Sequence, residues 1–68
     1  MYLYKIYQQK KNGFSYCCQM RGSSAREIWG RLRDSQVEGT YFWGTTNAWN
    51  RYVNTGVMKG IYRATFVR

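Results

Sequence analysis

The sequence predicts a small single-domain α+β fold. An antiparallel sheet, built from an N-terminal hairpin plus a C-terminal strand, packs on one capped helix in β-β-α-(α)-β order. Three observations predict it. Asn12-Gly13 lies between two alternating apolar segments, the strongest short-range hairpin signal. Ser24 stands three residues before Glu27 and opens an apolar stripe at helical spacing. Residues 57–67 alternate again and close the chain as a strand. A sheet with a helix on one face is a two-layer solution that a chain of 68 residues can fill.

The hairpin comes first, with strands expected over residues 2–9 and 14–21. Tyr2, Tyr4 and Ile6 form one apolar face, and Phe14, Tyr16, Cys18 and Met20 form the other strand's apolar face. Partners across a ladder share a face, so the two numbers in each pair sum to an even value if both sets are to meet. A two-residue Asn12-Gly13 loop pairs Lys11 with Phe14 and separates the sets. A three-residue loop pairs Lys10 with Phe14 and unites them, with Gly13 left-handed in a bulge after a type I turn. The parity predicts the three-residue loop.

The helix follows. Ala25, Ile28, Trp29 and Leu32 fall at i, i+3, i+4 and i+7, which places Trp29 in the core. Glu27 and Arg31 are four apart and pair for about 0.3 kcal/mol. Gly30 costs about 1 kcal/mol in the helix interior and invites close approach of the sheet or a bulky partner. The helix fades near residues 34–36. Residues 39–44, Gly-Thr-Tyr-Phe-Trp-Gly, read as a short aromatic strand or an ordered loop. Trp49, Tyr52 and Val53 have helical spacing, with Thr46 as cap and Gly56 as stop, so residues 46–54 read as a short helix, with a strand as the rival. In the last strand, Tyr62, Ala64 and Phe66 share one face.

Composition narrows the function. Eleven Lys and Arg against three Asp and Glu give a net charge of +8, and aromatic residues make up 19%. Positive charge draws polyanions and ring faces stack on bases, which points to a nucleic-acid binder tolerant of sequence. Catalysis is not expected: there is no His, no phosphate-binding loop and no close pair of carboxylates to act as acid and base. No metal and no cofactor are expected, since two cysteines without histidine do not complete a zinc site. Cys17 and Cys18 are adjacent and read as small reduced hydrophobes, which fits a cytoplasmic setting. No apolar run reaches membrane-span length, and the first residues lack the pattern of a secretory leader, so neither a membrane partner nor a leader is expected.

Three groups of residues are candidates for the binding surface. With the even face buried, Lys5, Arg21 and Arg63 flank Tyr7 on an open sheet, the arrangement by which sheet modules hold single strands. Arg21, Arg26, Arg31 and Arg33 cluster about the helix and offer planar forks to phosphates. Lys10 and Lys11 make a basic hairpin tip. Among the tryptophans, Trp43 and Trp49 lie in the less regular half and, with Tyr41, are candidates for exposed aromatic anchors.

In size and charge the chain resembles phage-encoded proteins that disable host machinery, including anti-CRISPR proteins. The resemblance is one of build alone, with no shared motif, and it carries over no residue role. It implies a second reading: an inhibitor or adaptor docked on an acidic or nucleic-acid-binding site of a host protein complex. There Tyr41, Trp43 and Trp49 would anchor and the arginines would steer.

Overall fold

A computed structural model describes residues 1–67. The elements run β1 (Tyr2–Lys10), β2 (Gly13–Gly22), α1 (Ala25–Asp34), β3 (Gly39–Thr45), α2 (Thr46–Thr55) and β4 (Tyr62–Phe66). The four strands form one antiparallel sheet in the order β2-β1-β3-β4. The α+β class is as expected, and the order fills in to β-β-α-β-α-β. Residues 39–45 are neither loop nor edge but an interior strand between β1 and β4.

The two faces of the sheet carry different helices. Tyr4, Ile6, Tyr41 and Trp43 pack with Ile28 and Leu32 of α1, and Cys18, Met20, Ala64 and Phe66 border this core. The other face carries α2. Trp49 lies 4.6 Å from Tyr7, ring centre to ring centre, and Ala48 sits against Gly44. The expectation of an open second face is therefore corrected. Tyr41, Phe42, Trp43 and Gly44 are buried in succession because one helix covers each side of β3.

The hairpin resolves its parity differently from the expected turn. Lys10 pairs with Gly13, leaving a two-residue Lys11-Asn12 loop, with Gly13 at φ 129°. Tyr4 pairs with Met20 and Ile6 with Cys18, as the shared apolar face requires. The register then shifts between Ile6 and Tyr7, and Tyr7 faces Tyr16. Cys17 is the extra residue, so the bulge lies in mid-strand and not at the turn. One consequence matters for the site: Phe14 and Tyr16 are turned to the α2 face.

Caps fix both helices. The Ser24 Oγ accepts a hydrogen bond from the Glu27 N–H at 3.3 Å. The Glu27 carboxylate reaches one residue further back than a capping box predicts, accepting from the Ser23 hydroxyl at 2.9 Å. Arg31 pairs with Glu27 at 3.2 Å and donates to the Arg21 carbonyl at 2.6 Å, tying α1 to the end of β2. Trp29 is not core: it is 38% exposed, with the Arg33 guanidinium 4.9 Å above its ring and Phe66 beside it. A Cβ on Gly30 would meet nothing within 4 Å, so no close approach occurs there. In α2, Thr45 is the cap, one residue before the expected Thr46, and Gly56 ends the helix left-handed at φ 75°. Val53 points outward, 78% exposed.

Candidate nucleic-acid interface

The α2 face holds the chemistry that the sequence singles out, in a different arrangement. Trp49 is buried, and its Nε1 donates to the Lys5 carbonyl at 2.9 Å. That bond fixes the indole between α2 and β1. Around it gather Tyr7, Phe14 and Tyr52, and Phe14 continues to Phe42 at 4.8 Å and Tyr7 to Tyr16 at 5.5 Å. Edge and tilted contacts of this kind contribute about 0.5–1.5 kcal/mol each beyond burial. The cluster is a second small core, open on one side: Phe14 and Tyr16 remain 40% and 54% exposed.

A cleft of about 190 Å³ opens into this cluster, lined by Lys5, Tyr7, Phe14, Trp49, Asn50, Tyr52 and Val53. Lys5 is thus beside the rings, as expected. Tyr7 is not an open platform, because α2 covers it; the rings that face solvent are Phe14 and Tyr16. A bulge at the turn would put both on the buried face, and the mid-strand bulge reverses them.

Charge is distributed unevenly over the two faces. Met20 and Ala64 border the α1 core, so their neighbours Arg21 and Arg63 project to the opposite side of the sheet, that of α2. Arg51 lies on α2 and donates to the carbonyl of Lys59 in the following turn at 3.3 Å. Lys10 and Lys11 stand exposed at the hairpin tip. Together with Lys5 these are seven Lys and Arg, and no Asp or Glu occurs in the segments that carry them. All three carboxylates, Glu27, Asp34 and Glu38, lie on α1 or in the connection after it, with Arg26, Arg31 and Arg33. Two are paired: Glu27 with Arg31 and Asp34 with Arg33, each at 3.2 Å.

The structure therefore separates the predicted site residues. Lys5, Tyr7, Arg21 and Arg63 share one face. Arg26, Arg31 and Arg33 lie with the other helix, and Arg31 and Arg33 are engaged by carboxylates, a backbone carbonyl and the Trp29 ring. The three aromatic anchors are all interior. Tyr41 and Trp43 belong to the α1 core, and the Trp43 Nε1 donates to the Ala25 carbonyl at 3.0 Å. Trp49 is a wall of the cleft. Their bulk fills two small cores, and of the three only Trp49 borders a cleft. Arg51, Lys59, Asn50 and Tyr52 were not singled out by the sequence. The uninterrupted Tyr41-Phe42-Trp43 run is the signal that finds them, since it implies a strand covered on both sides and hence a helix over the second face.

Both cysteines are free. Burial pushes the Cys18 thiol up to about 11, and a hydrogen bond with Cys17 adds to the shift, so Cys18 stays protonated near neutrality. Among the described residues, no three His, Cys, Asp or Glu side chains stand close enough to hold a metal ion, and no helix is long and apolar enough to cross a membrane. No protein-family model, curated protein or solved structure matches the chain.

Proposed function

We propose that this protein binds nucleic acid without reading its sequence, through the α2 face and the hairpin tip. One observation carries the reading: cationic side chains collect where no carboxylate offsets them, while the carboxylates collect about α1. Lys5, Arg21, Arg63, Arg51 and Lys59 then supply phosphate contacts, and Lys10 and Lys11 extend the track. Affinity in this mode comes from counterion release, so it falls steeply with salt. The exposed Phe14 and Tyr16 rings add stacking beside the basic track, the combination found in sequence-tolerant single-strand binders.

The test is anisotropy of labelled single- and double-stranded oligonucleotides titrated over a range of salt. Contact with five phosphates predicts a log–log slope of about −4.5 on duplex and about −3.5 on a single strand. Dissociation constants should lie at about 10⁻⁴ to 10⁻⁶ M at physiological salt. No binding at about 50 mM salt overturns the reading. Equally tight binding to polyglutamate of matched charge would transfer the role of this face to an acidic protein partner.

A further inference from the structure

The cleft between α2 and the hairpin has the size and lining for one planar ring system. Its volume of about 190 Å³ is below the roughly 300 Å³ at which sites for drug-sized molecules begin. A duplex edge does not enter such a space, and neither does a whole nucleotide. Its walls are rings whose positions are set by other contacts. Trp49 is held by its bond to the Lys5 carbonyl, and Tyr7 packs on it at 4.6 Å. Phe14 stands at the mouth, half turned to solvent and braced on Phe42. Four of the lining residues, Lys5, Tyr7, Asn50 and Tyr52, bring polar groups. The Lys5 ammonium brings a positive charge, and the exposed Asn50 amide offers both a donor and an acceptor to the edge of a ring.

From this we infer that the cleft seats one unpaired base of a single-stranded nucleic acid, with Lys5 on its phosphate and Asn50 at its edge. The inference rests on the nucleic-acid reading above and sharpens it to single strands. In a duplex each base is stacked on both sides and shows only its edges, so none can enter without being extruded. Charge complementarity selects this occupant over an uncharged aromatic molecule, because the cleft opens on the face where cations lie without carboxylates. Tyr16, 5.5 Å from Tyr7 and outside the cleft, is placed to receive a neighbouring base. The larger hollow of about 400 Å³ beside Arg33 and Phe66 lacks these properties. It has one ring in its lining and lies near α1, where among the described residues three carboxylates offset three arginines.

The experiment compares three ligands on the full chain at one salt concentration: oligothymidylate of about twelve nucleotides, an abasic strand of equal length, and a duplex. The abasic strand keeps every phosphate and removes every base. Binding to oligothymidylate about ten-fold or more tighter than to the abasic strand is expected, the gain that stacking of a base on aromatic side chains gives. Phe14→Leu keeps an apolar contact with Phe42 and removes the ring; it should shrink that ratio toward one. Equal affinity for the two strands in the unaltered protein overturns the base seat and leaves polyanion binding standing. Failure of all three ligands to bind at low salt overturns both.

Discussion

At the scale of single residues, Glu27 shows how one side chain joins local and tertiary structure. Its carboxyl is held below the ordinary glutamate value, first by the hydrogen bond from the Ser23 hydroxyl, then by the Ser23 backbone N–H and by the Arg31 guanidinium. The unfolded chain has none of these partners, and its glutamates titrate at about 4.3. The stabilisation is therefore present in full above that pH and is lost as pH falls through the lower value in the folded protein. Ser23→Ala removes the largest contribution. Its carbon NMR titration should place the Glu27 midpoint higher than in the unaltered protein, with unfolding in acid beginning at higher pH. An unchanged midpoint would show that Arg31 and the backbone hold the carboxylate without the hydroxyl.

At the scale of elements, two glycines separate propensity from packing. Gly30 is inside α1 with open space where a Cβ would stand, so Gly30→Ala meets no clash and gains helix propensity of about 1 kcal/mol. A gain of that size raises the melting temperature of a domain this small by about 4–8 °C. Gly44 is different: its Cβ would lie 3.1 Å from the Gly60 carbonyl oxygen and 3.2 Å from the Ile61 side chain, beneath α2. Gly44→Ala should lower the melting temperature, and opposite shifts in the two variants are the outcome to look for in thermal unfolding. Equal shifts would mean that α2 and the 57–61 segment do not press on β3. The elements themselves were largely legible. Ser24 with Glu27 marks the start of α1, Gly56 the end of α2, and alternation picks out the faces of β1 and β4. What escaped was the position of one extra residue. Parity demands that something absorb a one-residue mismatch in the hairpin, and a bulge at Gly13 or at Cys17 satisfies it equally well. Local turn chemistry favours the first. The second prevails in a fold where Phe14 joins Phe42, Trp49 and Tyr52, a contact with residues that lie 28 or more positions away in the chain. The candidate site was less legible than the fold for the same reason. Lys5 and Tyr7 follow from β1 alone, but the ring at the mouth of the cleft depends on the bulge, and its far wall depends on where α2 lands.

At the scale of the whole molecule, the sheet divides the charges of the described residues into a balanced set about α1 and a cationic set about α2. A net charge of +8 by itself predicts only attraction to polyanions, with no place for them. Under the proposed reading the cationic side is that place, and paired substitutions test it. Arg21 and Arg63 project from the edge strands β2 and β4 onto the α2 face, and both are exposed. Arg26 and Arg33 carry the same two charges on α1. Replacing either pair by Gln removes +2 from the chain, so any change in long-range attraction is matched between them. Only direct phosphate contacts distinguish the pairs. Loss of Arg21 and Arg63 should flatten the salt slope on a single strand by about 1.4, at about 0.7 per phosphate contact. Loss of Arg26 and Arg33 should weaken binding slightly and leave the slope unchanged, because a polyanion laid along the α2 face does not reach them. Thermal unfolding of each variant keeps stability out of the comparison: the Arg33–Asp34 pair is exposed on both sides and contributes at most about 1 kcal/mol, the Arg33 contact over the Trp29 ring adds about 0.5–1 kcal/mol, and the Arg21 contact that ties α1 to β2 uses its backbone carbonyl, which Gln retains. Equal flattening by both pairs would mean that the strand wraps the molecule, or that no face is preferred, and in either case the sheet would divide nothing.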